Sequence, residues 1–222
     1  MSSAMPISVL SQSPLTVPHR SRVCLFADDL TGASDAAVAF LPAGHSVRVW
    51  FGPTALQSTS ESVQAFNSNS RSLTPVEATA AVSRATSGIF VDANTLLFKK
   101  IDSAARGPIA AELLAAHRTL GTQAILLAPG FPAAGRSVSN GILHIQDSSG
   151  HHTQIYLGEL FPAEMQPLIA FVRSPALLAE AYASGKTILV CDAVTQTDLE
   201  ALARTASNLP GIVTTQPRIL LF

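Results

Sequence analysis

Two adjacent aspartates, Asp28 and Asp29, directly follow a continuous apolar run at residues 23–27. A carboxylate in such a place can accept a hydrogen bond from a sugar hydroxyl, hold a cation, or take a proton from an attacking hydroxyl. Thr31 lies just beyond them and adds a hydroxyl of its own. The alternative is that this segment only caps a helix, because Asp and Thr are favoured at helix N-termini.

Basic and polar side chains recur in separate segments further along the chain. The arginines among them are Arg71, Arg106 and Arg136, and a guanidinium is a forked donor that suits a carboxylate or a phosphate. The residues that accompany them are Lys100, Asp102, Ser103 and Asn140. Taken singly, Arg71 or Arg106 would more often form a surface ion pair, so the interpretation depends on their joint placement. Acceptors for hydroxyls together with donors for a carboxylate indicate a site for a small polyhydroxylated acid.

Alternating apolar runs and helical segments predict the framework that positions these residues. Strands are predicted at residues 23–27, 47–51, 63–66, 95–98, 124–128, 187–191 and 211–214, and helices at 31–41, 75–87, 108–120, 175–183 and 195–208. This alternation is typical of the α/β class: a doubly wound, mostly parallel sheet in a Rossmann-like three-layer arrangement. A β-hairpin insertion is predicted at residues 142–145 and 153–157. The first strand is expected to be central, because edge strands usually carry polar interruptions.

The predicted topology also indicates where the polar side chains meet. In open parallel sheets, ligands bind beyond the carboxyl ends of the strands. Each polar segment follows a different strand: Asp28 and Asp29, then Arg71, then residues 99–106, and finally Arg136 and Asn140 in the loop after residues 124–128. We therefore expect one shared polar cleft. At most one of Lys99 and Lys100 reaches it, because successive side chains on a strand point to opposite sides.

The composition argues against several classes of protein. The chain has 222 residues, of which 47% are hydrophobic and 13% charged, as in a globular protein rather than a disordered one. A formal net charge of −1 argues against nucleic acid as a partner. No window approaches the roughly 20 consecutive apolar residues of a membrane span, so no membrane partner is expected. His144, His151 and His152 could suggest a metal, but the pair His151-His152 falls in a polar hairpin loop, so we interpret it as a solvated loop and predict no metal site.

The first 21 residues differ in composition from the rest of the chain. Residues 1–21 are rich in Ser and Pro and lack the basic start and apolar core of a signal peptide. We interpret them as a disordered extension and residues 22–222 as one domain. Cys24 and Cys191 both fall in predicted strands, which favours buried free thiols in a cytoplasmic protein over a disulfide.

Four ordered motifs resemble the pattern of the four-carbon acid-sugar kinases. Residues 26–35, FADDLTGASD, resemble the A-D-D-x-T-G-A-x-D signature with which that family opens, and NSR at 69–71 resembles its S-R segment. KKIDSAARG at 99–107 is similar to its K-K-I-D-S-x-x-R-G motif. APGFPAAGR at 128–136, followed by NG at 140–141, resembles its A-P-x-F-P-x-x-G-R…N-G segment. The resemblance covers about residues 22 to 205.

The resemblance implies an ATP-dependent transfer of phosphate to a hydroxyl of a four-carbon sugar acid such as an erythronate, a threonate or a 3-oxo-tetronate. In that family an N-terminal domain holds the sugar acid, and a C-terminal domain holds ATP with its Mg²⁺. All the motifs found here belong to the N-terminal domain. We therefore expect a sugar-acid-binding domain with Asp28 and Asp29 as catalytic residues, with no cofactor of its own and no phosphate transfer on its own. The substrate-binding residues that the resemblance implies are Thr31, Arg71, Lys100, Asp102, Ser103, Arg106, Arg136 and Asn140.

The sequence departs from the family pattern at several points. Ala104 and Ala105 stand where Thr-Leu is common, and Pro108 stands where a polar residue is usual. We expect the C-terminal nucleotide-binding domain of the family to be absent, since the glycine-rich passage expected after Asn208 is not found. The alternative function is a stand-alone, catalytically silent protein that binds a small sugar acid or serves in protein interactions.

Low charge and an apolar run at residues 219–222 bear on the partners of this chain. A surface once covered by a second domain is typically about 600–1,500 Å², which is more apolar area than a soluble monomer normally exposes. We therefore expect a two-fold homodimer. A separately encoded nucleotide-binding domain is the competing partner.

Overall fold

Eight parallel strands form the main sheet of the computed structural model, which describes residues 22–51, 61–92, 94–147 and 149–216. The strands of the described residues are β1 (Arg22–Ala27), β2 (Val47–Trp50), β3 (Val63–Asn67), β4 (Thr95–Lys100), β5 (Ala124–Leu127), β6 (Arg136–Ser139), β7 (Ile142–Gln146), β8 (His152–Tyr156), β9 (Ile169–Val172), β10 (Ile188–Cys191) and β11 (Ile212–Gln216). The main sheet has the order β2-β3-β1-β4-β11-β5-β10-β9, and β6, β7 and β8 form a separate antiparallel sheet. The extension at residues 1–21 and the run at 219–222 lie outside the described residues.

Helices cover both faces of the main sheet. They are α1 (Leu30–Val38), α2 (Pro75–Thr86), α3 (Ile109–Leu120), α4 (Leu178–Ala183) and α5 (Gln196–Ser207). Short 3₁₀ helices lie at Leu41–Ala43, Pro132–Ala134, Leu157–Leu160, Ala163–Leu168 and Pro175–Leu177. Within the described ranges, no helix is long and apolar enough to span a bilayer.

Alternation along β1 shows how the three layers form. Leu25 packs in the apolar cluster that includes α1, whereas Phe26 packs in the cluster that includes α2 and α3. Both side chains are almost completely buried, because a strand with helices on both faces has no solvent side. The predicted α/β, doubly wound, three-layer fold is confirmed, and β1 lies in the interior of the sheet between β3 and β4.

Four details of the sequence-based fold were wrong or missing. Arg136 was placed in a loop, but it begins β6, a short polar strand whose apolar content is too small to predict a strand. Strand β9 was not anticipated, and the predicted helix at 175–183 is a 3₁₀ turn followed by α4. The last strand, β11, inserts between β4 and β5, a placement that no local pattern encodes.

The three-stranded sheet is attached to the segment that follows β10 of the main sheet. Val138 of β6 exchanges both backbone hydrogen bonds with Ala193, at 2.9 and 3.0 Å. The backbone N–H groups of Asn140 and Gly141 donate to the two carboxylate oxygens of Asp192, at 2.7 and 2.8 Å. The turn between β6 and β7 is therefore held by the residue that follows β10.

A substitution at Gly141 tests how closely the turn between β6 and β7 packs on β9. Gly141 has φ +71°, and a Cβ built there would lie 2.7 Å from the ring of Phe171 in β9. We expect Gly141→Ala to lower the free energy of unfolding by about 2–4 kcal/mol, because backbone strain and overpacking add. Gly150 is the control: it has φ +84° but open space around it. Gly150→Ala is therefore expected to cost only the strain, about 1–2 kcal/mol. Equal losses for the two variants in urea unfolding would show that the Phe171 contact contributes nothing.

Candidate functional site

Three polar segments meet at the carboxyl ends of neighbouring strands. Because β3, β1 and β4 are adjacent in the sheet, the residues that follow them lie side by side. Asp28 and Asp29 follow β1, Arg71 lies in the loop after β3, and Asp102 and Arg106 lie in the loop after β4. These three of the four predicted polar segments therefore lie together at one edge of the sheet.

The guanidinium of Arg71 is the centre of this cluster. Its Nε and Nη2 donate to the two carboxylate oxygens of Asp28, at 2.7 and 3.1 Å. Its Nη1 lies 2.6 Å from Asp29 Oδ2 and 3.8 Å from Asp102 Oδ1. The hydrogen bonds to Asp28 raise the pKa of Arg71 above its ordinary value. One cation thus holds carboxylates from two distant motifs; we call Asp28, Asp29, Arg71, Lys100, Asp102 and Arg106 the Arg71 cluster.

Backbone contacts fix the position of Arg71. The N–H groups of Ser70 and Arg71 both donate to the carbonyl oxygen of Asp28, at 2.9 and 3.3 Å. Gly107 adopts φ +90°, and a Cβ there would lie 3.0 Å from the carbonyl oxygen of Arg71. A side chain at this position would push the two loops apart, which explains why glycine follows Arg106.

The two aspartates after β1 have different surroundings. Asp28 is 2% exposed, whereas the side chain of Asp29 is 29% exposed. Asp29 is also the N-cap of α1, and its Oδ1 accepts a hydrogen bond from the N–H of Gly32 at 2.6 Å. The capping alternative is therefore true of Asp29, and it coexists with the contact to Arg71.

Asp102 and Arg106 form a two-pronged ion pair at the rim. Arg106 Nε and Nη2 donate to the two oxygens of Asp102, at 2.9 and 2.7 Å. Burial alone would raise the pKa of Asp102, but the Arg106 guanidinium and the backbone N–H groups of Ala104 and Arg106 lower it to about 2. The Arg106 side chain itself is 68% exposed, so Nη1, which neither Asp102 oxygen uses, is accessible to a ligand.

This ion pair predicts a loss of stability in acid. Asp102 has a pKa near 3.8 in the unfolded chain and about 2 in the folded protein, so its stabilisation is complete above pH 4 and is lost as the pH falls towards 2. We expect a contribution of at most about 2 kcal/mol, since Arg106 is largely solvated. Urea unfolding of the wild type and of Asp102→Asn between pH 2 and 5 measures this contribution, because the variant has no carboxylate at position 102 to titrate. Parallel pH profiles for the two proteins would contradict the assignment.

The two neighbouring lysines point to opposite sides of β4, as predicted. Lys100 Nζ donates to the carbonyl oxygen of Ile101 at 2.8 Å, and a Cβ on Gly32 would lie 3.6 Å from this ammonium. Burial lowers the pKa of Lys100, although Asp28 and Asp29 act in the opposite direction. Lys99 is fully buried on the other side, 2.9 Å from Glu112.

The charges of the Arg71 cluster balance, and its carboxylates are all engaged. Arg71 and Arg106 bind the three aspartates. Lys100 is the cation for which no ion pair is found among the described residues, so it is the group most available to an incoming anion. The described residues contain no set of three or more His, Cys, Asp or Glu side chains able to hold a metal ion.

The remaining predicted residues lie at the margin of the cluster or away from it. Thr31 is exposed in the first turn of α1, and Ser103 is half-buried beside Asp102. Arg136 Nη1 donates to the carbonyl oxygen of Ala134 at 2.7 Å, and its Nε is buried without a hydrogen-bond partner in the described part of the chain. Asn140 is held by Asp192. For the described residues, no hydrogen bond or ion pair is found between Arg136 or Asn140 and the Arg71 cluster.

Sequence reasoning missed the buried polar residues that support the cluster. Ser70, Lys99 and Glu112 are 0%, 0% and 1% exposed. The adjacent pair Lys99-Lys100 was a partial signal, because one of two successive strand residues must face inward. Glu112 lies in the first turn of α3, where an acid is also explained by the helix dipole, so its role could not be read from the sequence.

Comparison with known proteins gives the family. A family model described as the sugar-binding N-terminal domain matches residues 23–175. A D-threonate kinase of Bordetella bronchiseptica is 30% identical over 196 residues, which cover 81% of this chain and 48% of that protein. A D-erythronate kinase of Heliobacterium modesticaldum is 26% identical over 216 residues, covering 84% of this chain and 48% of that protein.

A solved structure agrees with this result. The crystal structure of a Bordetella bronchiseptica protein, a domain-swapped dimer with bound citrate, superposes with a TM-score of 0.73 at 27% identity. It covers 88% of this chain and 54% of that one. The chain therefore belongs to the sugar-binding N-terminal domain family, that of the four-carbon acid-sugar kinases. It spans about half the length of the curated relatives that it matches.

Proposed function

We propose that this chain binds a four-carbon sugar acid and supplies the substrate-binding half of an ATP-dependent kinase that phosphorylates it. The observation that carries the proposal is the convergence of three separate motifs on one guanidinium, with carboxylates from two strand ends bound to Arg71. Relatives that match 81–89% of this chain are kinases of D-threonate, D-erythronate and 3-oxo-tetronate.

The charge distribution supports an orientation for the ligand. A sugar acid is an anion, and a partly desolvated anion needs cationic donors. Lys100 and the free Nη1 of Arg106 are those donors, so we place the carboxylate of the ligand near them. The solved relative contains bound citrate, which is a hydroxylated polycarboxylate.

The hydroxyl that receives the phosphate is placed at the acidic side of the cluster. Asp29 is more exposed than Asp28, so its carboxylate is better able to reach a ligand. We propose that Asp29 accepts a hydrogen bond from the reacting hydroxyl and takes its proton as the oxygen attacks. Asp28, bound on both oxygens by Arg71, orients that guanidinium.

Thr31, Ser103, Arg136 and Asn140 enter the proposal through the resemblance of their motifs. Thr31 and Ser103 border the Arg71 cluster in the chain and can donate or accept hydrogen bonds to ligand hydroxyls. Arg136 is a second candidate for the carboxylate or for the transferring phosphate. The side chain of Asn140 is exposed, while its backbone anchors the small sheet.

Kinases generally use ATP with Mg²⁺, and both are proposed to come from a separate nucleotide-binding domain. The described residues fit neither group well, because the carboxylates of the Arg71 cluster are already bound by arginines. Positioning and charge neutralisation supply nearly all the catalysis in phosphoryl transfer, so this chain alone is expected to transfer essentially no phosphate. A two-fold dimer is proposed by analogy with the dimeric relative.

Calorimetric titration of D-threonate, D-erythronate and citrate into the chain, with and without Mg-ATP, tests this function. We expect saturable binding of at least one four-carbon sugar acid and no turnover of ATP. The absence of binding for all of them would overturn the substrate class. Turnover near the usual kinase range of about 1–100 per second would overturn the assignment of ATP to a separate domain.

A further inference from the structure

A buried ion pair lies directly behind the Arg71 cluster and is not part of it. Lys99 Nζ in β4 is 2.9 Å from Glu112 Oε2 in α3, and the two side chains are 0% and 2% exposed. The same ammonium donates to the carbonyl oxygen of Lys100 at 3.1 Å. The pair therefore joins the helix to the strand residue that presents its side chain to the site.

The network continues from Glu112 to the loop that carries Arg71. Glu112 Oε1 accepts a hydrogen bond from the hydroxyl of Ser70, the residue before Arg71. Ser70 Oγ is 2.8 Å from Ser68 Oγ, which donates to the carbonyl oxygen of Ala27 at 2.8 Å. Ala27 precedes Asp28. The network thus reaches the chain at Lys100, at Ser70 before Arg71, and at Ala27 before Asp28.

Stability alone does not explain this arrangement. The free-energy cost of removing two charges from water often exceeds the gain from their attraction. Apolar residues of similar volume commonly stabilise a core equally well or better. A fully hydrogen-bonded buried network does fix the relative positions of its members. The property that distinguishes Lys99 and Glu112 from an apolar pair is therefore geometric.

We propose that the buried Lys99–Glu112 pair, acting through Ser70, is a positioning device that holds Arg71 and Lys100 in register for the sugar acid. The inference rests on the proposed function for its ligand. It assigns to Lys99 and Glu112 no contact with the substrate. Their effect is transmitted through the backbone of Ser70 and Lys100.

Two variants separate positioning from stability. Ser70→Ala cuts the link between Glu112 and the Arg71 loop without leaving a buried unpaired charge. Lys99→Met combined with Glu112→Leu removes both charges and fills the space, which keeps the proposal testable if Ser70→Ala fails to fold. Leu202→Ala, in the buried face of α5, is the control for destabilisation away from the site.

The measurements are the unfolding midpoint, the D-threonate affinity by calorimetry, and the NMR signal of the Arg71 Nε–H. We expect Ser70→Ala and the double variant to bind D-threonate about tenfold more weakly or worse, with a shifted Arg71 signal. Leu202→Ala lowers the midpoint and leaves affinity and signal unchanged. Wild-type affinity and an unshifted Arg71 signal in the folded double variant would overturn the proposal.

The Arg71 signal also separates this inference from the proposed function. If the wild-type chain binds no four-carbon sugar acid, the proposed substrate class is wrong, and the Arg71 signal alone decides the inference. A shift in Ser70→Ala and in the double variant but not in Leu202→Ala supports positioning. The same signal in all the proteins refutes it.

Discussion

Arg71→Ala is expected to lower the free energy of unfolding by about 3–5 kcal/mol, the usual cost of leaving a buried charge without its partner. Asp28 is 2% exposed and loses both of its guanidinium hydrogen bonds. Asp29 and Asp102 lose the cation that lies between them. The same variant is expected to lose measurable affinity for a sugar acid, because the remaining acids repel an anion.

Urea unfolding at neutral and mildly acidic pH measures the first effect. The deficit of Arg71→Ala relative to the wild type is expected to shrink as the pH is lowered, because protonation relieves the repulsion among unpaired carboxylates. Arg48→Ala is the control, since the Arg48 side chain is 44% exposed and that of its partner Glu61 is 18% exposed, and an ion pair near the solvent contributes little. Similar losses for Arg48→Ala and Arg71→Ala would contradict the central place given to Arg71.

Lys100→Met is expected to remove binding while leaving the fold intact. Truncating a buried charged partner of a ligand typically costs about 2–5 kcal/mol of binding free energy. Stability is expected to stay the same or to rise, because the half-buried ammonium has no carboxylate partner among the described residues and burial lowers its pKa. The affinity of the wild type for a sugar acid is expected to fall as the pH rises towards the lowered pKa of Lys100, below its ordinary 10.5.

Calorimetry and urea unfolding together check this prediction. Lys186→Met is the control, because the Lys186 ammonium is likewise bonded to a backbone carbonyl, that of Pro167 at 2.6 Å. It is expected to bind the ligand as the wild type does. If Lys100→Met binds the sugar acid normally, the carboxylate lies elsewhere, and Arg136 becomes the leading alternative.

The predictable part of the fold is the part that local chemistry determines. The apolar run of β1 identifies a buried strand, and the acids that follow it lie at its carboxyl end because the sheet is parallel. The helix at Pro75–Thr86 is equally local: Thr74 and Glu77 form a reciprocal N-terminal cap. Such features follow from a few adjacent residues.

The unpredicted part depends on contacts between distant segments. Strand β11 sits between β4 and β5, and nothing in its own residues selects those neighbours. Arg136 and Asn140 were expected in the shared cleft because they follow β5 in the chain, and their part in the site stays a prediction. Arg136 begins β6 of the second sheet, and Asn140 lies in the turn after β6, where its backbone N–H donates to Asp192. Glu112 was predicted to lie in a helix, but its partner Lys99 becomes visible only when α3 packs on β4.

A crystal structure of the chain with D-threonate tests the central claim most directly. We expect the ligand carboxylate within hydrogen-bond distance of Lys100 Nζ, with Arg106 Nη1 beside it and a ligand hydroxyl on Asp29. A ligand bound at any other place, or a saturated crystal whose Arg71 cluster binds nothing, would contradict it.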